Sequence, residues 1–273
     1  MLSSDVHQDQ DKQRMDTSKE LVRWRVVAAS VRGTSHERVD QLCQDAHHWE
    51  RLPEGVLIAA VADGAGSAPL GKIGAIVAAQ TAVETIRFKE DTSRSPDDEE
   101  GWQSLLNNAL VAAKTAVEAE AVACNVAARD LATTLIIVVA TPKLIAAAQV
   151  GDGVAVAGDS QGNVIALTAP QSGEYINETT FLVSPNALET AQVTLWRGSP
   201  ANIALMSDGL QMLALEMTDG KPHVPFFSPL FHFMADVTDE TEAKEQLVAL
   251  LRSERIQKRT DDDLTLLLAN LVS

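Results

Sequence analysis

Residues 56–67 read VLIAAVADGAGS, an unbroken apolar run that leads directly into Asp63 and a glycine-rich turn. A continuous apolar run of this length, bounded by turn residues, predicts a buried β-strand. Three further apolar runs have an aspartate at or beside one end. They are residues 144–150 before Asp152, 203–206 before Asp208, and 264–268 after Asp262. The pattern predicts strands that deliver carboxylates to one edge of a sheet.

Glycine follows three of these aspartates, at Gly64, Gly153 and Gly209. Glycine lets the backbone turn sharply and approach a ligand closely. Carboxylate oxygens without neighbouring His or Cys ligands favour a hard divalent cation such as Mg²⁺ or Mn²⁺ and disfavour zinc. A single Asp-Gly pair is more often only a turn, but four acidic strand ends favour a cation site.

The composition excludes several classes of function. The 273 residues are 45% hydrophobic and 22% charged, which is typical of a globular protein with a sizeable core. The net charge of -16 would repel nucleic acid and anionic membrane surfaces. We therefore expect no nucleic-acid or membrane partner.

The ends of the chain and its cysteines indicate where the protein works. Residues 1–20 are polar and lack the apolar core of a secretory signal, so we expect a disordered leader there and one folded domain over residues 21–273. Cys43 and Cys124 are far apart and form no CxxC pair, which suits a reducing compartment. These features predict a cytoplasmic location.

Hydrophobic periodicity predicts a strand-rich domain with helices before and after the strands. Residues 32–55 read as a polar loop, and the runs between 133 and 167 read as an antiparallel meander. The predicted helices are 70–88, 102–129, 226–235 and 240–252. The predicted strands are 24–31, 56–62, 133–140, 144–150, 154–157, 164–167, 181–183, 193–196, 203–206 and 264–271. This order indicates an α+β layered domain.

The motifs, taken in order, resemble the metal-dependent protein phosphatases, the type 2C serine/threonine phosphatases, and in particular their compact bacterial branch. The resemblance rests on GTSH at 33–36, QDA at 44–46, VADGAGS at 61–67, ATTL at 132–135, VGDG at 150–153, MSDGL at 206–210 and DDDLT at 261–265. It implies a four-layer α/β/β/α sandwich, in which two antiparallel sheets are flanked by helix pairs.

The resemblance also implies an activity, which is hydrolysis of phosphoserine and phosphothreonine in proteins by a metal-activated water. Two Mn²⁺ or Mg²⁺ ions are implied, with a third, weaker ion near Asp152. Asp63 would bridge the two ions and the Gly64 carbonyl would add an oxygen to one. Asp208 and Asp262 would complete the shell of the other. The expected partners are a phosphoprotein substrate and an opposing serine/threonine kinase, with the enzyme acting as a monomer.

Several residues depart from the family pattern. Gln44 stands where many relatives have an acid, so Asp45 is expected to support the ligands from behind. The phosphate-binding arginine expected upstream is displaced, and Arg38 and Arg32 are the nearby candidates for this contact with the substrate. His36 is expected to contact the substrate phosphate or to protonate the leaving oxygen, unless it only fixes the loop through a hydrogen bond. These departures leave a second hypothesis open, a phosphatase-fold regulatory or binding module with little or no turnover.

Two further expectations concern loops and neighbouring histidines. Residues 171–181 form a polar loop where relatives place a flap, so Glu174 and Tyr175 are candidates for substrate contact. His47 and His48 are adjacent and would point to opposite faces of a strand, so we expect them to be solvent-exposed rather than metal ligands. Thr133 and Thr134 are expected to pack behind the strands that carry the aspartates.

Overall fold

The computed structural model describes residues 22–92, 96–170, 179–216 and 218–272. The expected leader at 1–20 lies outside these ranges, as do Glu174 and Tyr175. None of the helices in the described ranges combines the length and the apolar composition of a membrane-spanning segment.

Two five-stranded antiparallel sheets form the centre of the described structure. The first sheet contains β1 (Arg23–Val31), β6 (Val154–Asp159), β7 (Val164–Ala166), β9 (Pro200–Met206) and β10 (Leu264–Val272), in the order β1-β10-β9-β6-β7. The second sheet contains β2 (Ala46–Leu52), β3 (Val56–Ala62), β4 (Leu135–Ala140), β5 (Leu144–Val150) and β8 (Gln192–Arg197), in the order β2-β3-β4-β5-β8.

Helices cover the outer face of each sheet. The described helices are α1 (Thr34–Arg38), α2 (Gly71–Thr92), α3 (Glu99–Ala123), α4 (Ala187–Thr190), α5 (Gln211–Ala214), α6 (Val224–Asp236), α7 (Glu240–Leu251) and α8 (Glu254–Gln257). Side chains of α2 and α3 share a hydrophobic cluster with the second sheet, and side chains of α6 and α7 share one with the first sheet. A third cluster fills the space between the two sheets. The predicted four-layer sandwich is therefore confirmed.

The continuous apolar runs in the sequence follow from this layering. Successive side chains of a strand point to opposite faces, and both faces of these sheets are covered. In β3, Leu57 and Val61 pack between the sheets, whereas Ile58 and Ala62 pack under α2 and α3. An inner strand therefore has to be apolar at consecutive positions, as residues 56–62 of β3 are.

The polar-loop prediction for residues 32–55 is wrong, because β2 forms there and pairs with β3 along its whole length. β2 is an edge strand with half-buried polar side chains, so its sequence carries no clear alternation. Pairing with a buried neighbour outweighs weak local propensity. The predicted strand at 181–183 is also wrong, since these residues form a turn whose Phe181 and Val183 pack against the core.

The predicted single meander is wrong as well. β4 and β5 pair in the second sheet, while β6 and β7 pair in the first, so the chain crosses between the sheets at residues 151–153. Gly151 has φ +107, and a Cβ on it would lie 2.5 Å from a Thr134 methyl carbon. A Cβ on Gly153 would lie 2.8 Å from the Met206 carbonyl oxygen. Only glycines allow so tight a crossing.

His47 is not exposed as expected, because β2 places it between the two sheets beside β1. Its Nδ1 lies 2.9 Å from the Ser30 hydroxyl, which is itself 2.6 Å from the hydroxyl of Thr265. Burial lowers the pKa of His47 to about 4 from its ordinary value of 6.5, and the nearby charges of Lys244 and His48 lower it further in the same direction. The folded protein therefore holds this ring neutral.

The free energy of unfolding should consequently fall as the pH drops from about 6.5 to about 4. The unfolded chain binds a proton at His47 in this interval and the folded chain does not, which stabilises the unfolded state by as much as ~3 kcal/mol. His47→Gln should reduce this pH dependence, measured by urea unfolding at several pH values in EDTA. His232→Gln, on the exposed side of α6, serves as the control. Identical slopes in the wild type and in His47→Gln would contradict the assignment.

Candidate active site

Asp63 follows β3 directly, and two threonines hold its backbone in place. Its N–H donates to the Thr134 hydroxyl at 3.1 Å. Its carbonyl oxygen accepts from the Thr134 N–H at 2.8 Å and from the Thr133 hydroxyl at 2.9 Å. Thr133 and Thr134 are both buried. They therefore fix the turn that presents the Asp63 carboxylate, rather than acting at the site themselves.

The glycine after Asp63 is required by close packing. A Cβ on Gly64 would lie 2.4 Å from the backbone carbon of Gly71, at the start of α2. Gln44 braces the same turn, since its amide, oriented to satisfy both of its polar atoms, donates to the carbonyl oxygens of Gly64 and Ala65 at 3.0 and 2.8 Å. Gln44 therefore has a structural contact here, consistent with the expectation that it is no charged ligand.

The other aspartates reach this place from both sheets. Asp208 follows β9 and Asp262 precedes β10, which are neighbours in the first sheet, while Asp45 precedes β2 in the second sheet. Ser207 joins the two sheets, because its hydroxyl donates to Asp45 Oδ2 at 2.7 Å and accepts from the Thr265 N–H at 3.0 Å. The strand ends therefore converge on one edge of the sandwich.

The carboxylates are close enough to perturb one another. Burial raises the pKa of Asp63 well above its ordinary value, and the charges of Asp45, Asp208 and Asp262 raise it further. Burial likewise raises the pKa of Asp208 to about 6, with contributions from the charges of Asp152 and Asp262. Asp63 and Asp208 lie within hydrogen-bonding range of each other. Two carboxylates so placed need a proton or a cation between them.

Asp45 lies deepest in the cluster and is 5% exposed. Burial raises its pKa to about 7, and the charge of Asp263 acts in the same direction. One carboxylate oxygen of Asp45 and one of Asp208 are buried without a hydrogen-bond partner among the described residues. Buried polar atoms are nearly always paired, so these oxygens indicate a site for an additional positive group.

Asp152 and Asp262 lie at the rim of the cluster. Asp152 Oδ2 accepts from the Thr179 hydroxyl at 2.6 Å, and the Asp152 carbonyl oxygen accepts from the Gln211 amide. Asp262 is exposed, yet partial burial of its carboxylate and the charges of Asp261 and Asp263 raise its pKa. Within the described ranges, no three acidic, histidine or cysteine side chains close around a single point as a finished ion cage.

The donor set nevertheless fits a hard divalent cation. It consists of carboxylate and carbonyl oxygens, with two buried carboxylate oxygens that lack partners. Mg²⁺ and Mn²⁺ prefer such oxygens and keep several waters of their own, so a few carboxylates at one edge are enough. A site of this kind can bind a phosphate ester and promote its hydrolysis.

Asp263 organises the opposite wall, a role that sequence reasoning missed. Its carboxylate is 2% exposed and accepts from the Gly33 N–H at 2.7 Å and the Gln44 N–H at 2.6 Å. It also lies 2.9 Å from His36 Nδ1. These three partners are between 219 and 230 positions away in sequence, so no local signal could reveal them.

His36 is thereby oriented toward the aspartates. Because Asp263 accepts a hydrogen bond from Nδ1, the other ring nitrogen is turned away from it. A Cβ on Gly66 would lie 4.0 Å from His36 Nε2, so this nitrogen faces the 63–67 turn. Arg38 differs, since its side chain is 71% exposed and lies 3.7 Å from the Asp261 carboxylate at the outer edge of the site.

Comparison with known proteins identifies relatives that match most of the chain. Residues 32–252 match the family described as Protein phosphatase 2C. The chain is 37% identical over 253 residues to Serine/threonine-protein phosphatase 3 of Escherichia coli (strain K12), which covers 90% of this chain and 98% of that protein.

Solved structures share the fold. A serine/threonine phosphatase from Staphylococcus aureus aligns with a TM-score of 0.62 at 12% identity, covering 91% of this chain and 95% of that one. The catalytic domain of the serine threonine protein phosphatase PstP, in complex with 2 manganese ions, aligns with a TM-score of 0.59 at 16% identity, covering 93% and 100% of the two chains.

Asp63→Asn should abolish Mn²⁺ binding at the cluster while leaving the fold intact, because a neutral amide replaces a carboxylate whose pKa is raised by burial and by the charges of three neighbouring aspartates. We expect catalytic turnover to fall by more than ~100-fold and the rise in Tm on adding Mn²⁺ to disappear. The Tm of the metal-free variant should equal or exceed that of the wild type, since one of the repelling charges is gone.

Asp159→Asn is the matched control, because this aspartate caps an exposed turn through Gln161 and Asn163, after β6. It should keep both activity and the Mn²⁺-induced rise in Tm. Near wild-type activity of Asp63→Asn at low Mn²⁺ would show that Asp63 is not a bridging ligand.

Proposed function

The chain belongs to the protein phosphatase 2C family and is a metal-dependent serine/threonine protein phosphatase, and we propose that Asp63, Asp208 and Asp262 hold its metal ions. The observation that carries this proposal is the meeting of these carboxylates at the edge of two sheets, where burial and the neighbouring aspartates raise the pKa values of Asp63 and Asp208. Proteins of this fold bind Mn²⁺ or Mg²⁺, as PstP does with 2 manganese ions.

We assign each oxygen a place in a two-ion site. Asp63 would lie between the ions, with the Gly64 carbonyl oxygen on one side. Asp208 and Asp262 would hold the second ion, and Asp152 would hold a third, weaker one at the rim. The ions supply Lewis-acid activation of water and neutralise charge on the phosphoryl oxygens. No side-chain nucleophile is then needed.

The remaining residues keep this arrangement in place. Thr133 and Thr134 hold the Asp63 backbone. Asp45 supports the ligands from behind. It accepts a hydrogen bond from the Ser207 hydroxyl, and Ser207 directly precedes Asp208 in the chain. Asp263 fixes the His36 ring so that its Nε2 faces the 63–67 turn. With Nε2 facing the 63–67 turn, the ring is placed to contact a phosphoryl oxygen, so we assign His36 to the substrate phosphate. Arg38 is the candidate for contact with the protein part of the substrate.

The substrates are phosphoproteins, as the family implies. We further propose that residues 21–273 form one catalytic domain, which the family match over residues 32–252 supports. Cys43 and Cys124 are both free thiols, which supports a reducing, cytoplasmic environment.

An opposing serine/threonine kinase and a monomeric state remain predictions, as does substrate contact by Glu174 and Tyr175. No observation in the described residues favours a non-catalytic binding module.

The purified protein should hydrolyse p-nitrophenyl phosphate and phosphothreonine peptides in the presence of Mn²⁺. EDTA should abolish both activities, and an excess of Mn²⁺ should restore them, because the carboxylate cluster loses its cations to the chelator and regains them. Release of p-nitrophenolate and of inorganic phosphate measures the two reactions. Absence of turnover with Mn²⁺ and with Mg²⁺ would overturn the assignment as an active phosphatase.

His36→Gln should lower kcat/KM about 10- to 100-fold on both kinds of substrate, the range expected for one hydrogen bond to a charged group. An equal loss on p-nitrophenyl phosphate and on phosphopeptide supports contact with the phosphate. A loss confined to the phosphopeptide would instead show that His36 protonates the leaving oxygen, because p-nitrophenolate departs without a proton. His232→Gln, far from the site on α6, is the control and should leave both rates unchanged.

A further inference from the structure

A cavity of about 510 Å³ opens beside α5 and α8, and we call it the α5–α8 cavity. It has an apolar wall and a basic wall. The apolar wall includes Met212, Leu215 and Phe226, and the basic wall includes Arg255 and Arg259. Met212 is 58% exposed, so part of the apolar wall faces solvent. The cavity therefore offers an apolar surface next to two positive charges.

Both walls continue directly from the aspartate-bearing segments. Asp208 begins a short helical turn, Asp208–Leu210, that leads into α5. On the other side, Arg259 precedes Asp262 by three positions in the chain. A buried residue anchors each wall, since Ala214 in α5 is 0% exposed and Ile256 in α8 is 4% exposed. Three and four residues of chain span at most about 11 and 14 Å, so Arg259 and Met212 lie within that reach of Asp262 and Asp208 and a substrate bound at the aspartates lies near the cavity.

The two arginines bring positive charge to the cavity. Both are exposed, and neither guanidinium group makes an ion pair or a hydrogen bond with another described residue. Arg38 and Arg51, by contrast, each lie beside an acidic side chain. Among the described lining residues the acid is Glu216, whose charge acts on Lys221. The cavity is therefore a positive spot on a chain whose net charge is -16.

We propose that the α5–α8 cavity binds an acidic side chain of the phosphoprotein substrate, flanked by an apolar one, while the phosphorylated residue occupies the aspartate site. The inference rests on the proposed function. Guanidinium groups bind carboxylates through paired hydrogen bonds, and the apolar wall accepts the neighbouring side chain. An overall negative protein repels acidic substrates, so a local positive contact is the feature that would admit them.

Charge complementarity selects this occupant. Nucleic acids and anionic membranes carry extended arrays of phosphates, which the net charge of the chain repels. A short acidic segment needs only the local field of Arg255 and Arg259. The cavity is also small enough that a few side chains would fill it. A second copy of this chain is the competing occupant, and the experiment separates the two.

The test compares three phosphothreonine peptides of equal length whose flanking residues are acidic, neutral or basic. For the wild type with Mn²⁺, we expect kcat/KM for the acidic peptide to exceed that for the neutral one by about fivefold, the scale of partly exposed ion pairs. The advantage should appear in KM and should shrink as ionic strength rises. In the double variant Arg255→Glu, Arg259→Glu the preference should disappear or reverse toward the basic peptide.

Arg252→Glu is the matched control, because this exposed arginine lies outside the cavity at the end of α7. It changes the net charge without touching the walls and should keep the preference for acidic flanks. Hydrolysis of p-nitrophenyl phosphate should be unchanged in all variants, since this small ester does not reach the cavity. The paired Gln variants, with circular dichroism, exclude misfolding as the cause of any loss.

The experiments distinguish failure of the proposed phosphatase function from failure of the cavity proposal. If no substrate is turned over, the proposed function fails, and fluorescence anisotropy of the labelled acidic peptide still measures binding at the cavity. Equal preference in the wild type and the double variant would overturn the cavity assignment, as would equal loss in Arg252→Glu. Sedimentation velocity that shows a wild-type dimer and a monomeric double variant would assign the cavity to self-association and would also overturn it.

Discussion

Packing of the two sheets against each other is the constraint on which the rest of the structure depends. Both faces of the inner strands are buried, so most side chains of those strands have to be apolar. The site aspartates can then lie only beyond the strand ends. The aspartates occupy these ends, and because the sheets are in contact, ends from both sheets meet at one edge. The layered core therefore decides where the chemistry can lie.

Hydrogen bonds from neighbouring residues hold the acidic edge together, whereas its own charges repel one another. Burial, together with the charges of Asp45 and Asp208, raises the pKa of Asp63, which shows that bringing these carboxylates together opposes folding. Neutral contacts offset this repulsion, through the hydroxyls of Thr133 and Ser207. A rigid support that keeps carboxylates close without neutralising them leaves their oxygens available to cations.

A second polar centre, at Asp263, links the opposite wall to the same edge. Its carboxylate gathers two backbone N–H groups and the His36 ring, so the loop after β1 is tied to the start of β10. This contact gives His36 a direction, whereas Arg38 nearby remains largely in solvent. The sequence made both residues candidates for substrate contact, but of these two the structure holds His36 in a fixed direction. The same reasoning applies to Arg255 and Arg259, which lie in and just after α8. In our proposal, their position near the acidic edge allows their charges to contact a bound substrate.

The sequence by itself determined the elements whose signal is local. The apolar runs at Val56–Ala62 and Leu144–Val150 define β3 and β5 at the predicted residues, and their acidic ends indicate a cation site and a family before any contact is known. The structure alone decided which strands pair. It placed β2 in a segment without alternation, and it crossed the chain between sheets at Gly151. It also joined Asp263 to His36 across 227 positions. A local pattern records whether a residue is buried, but which distant residue covers it depends on closure of the whole core.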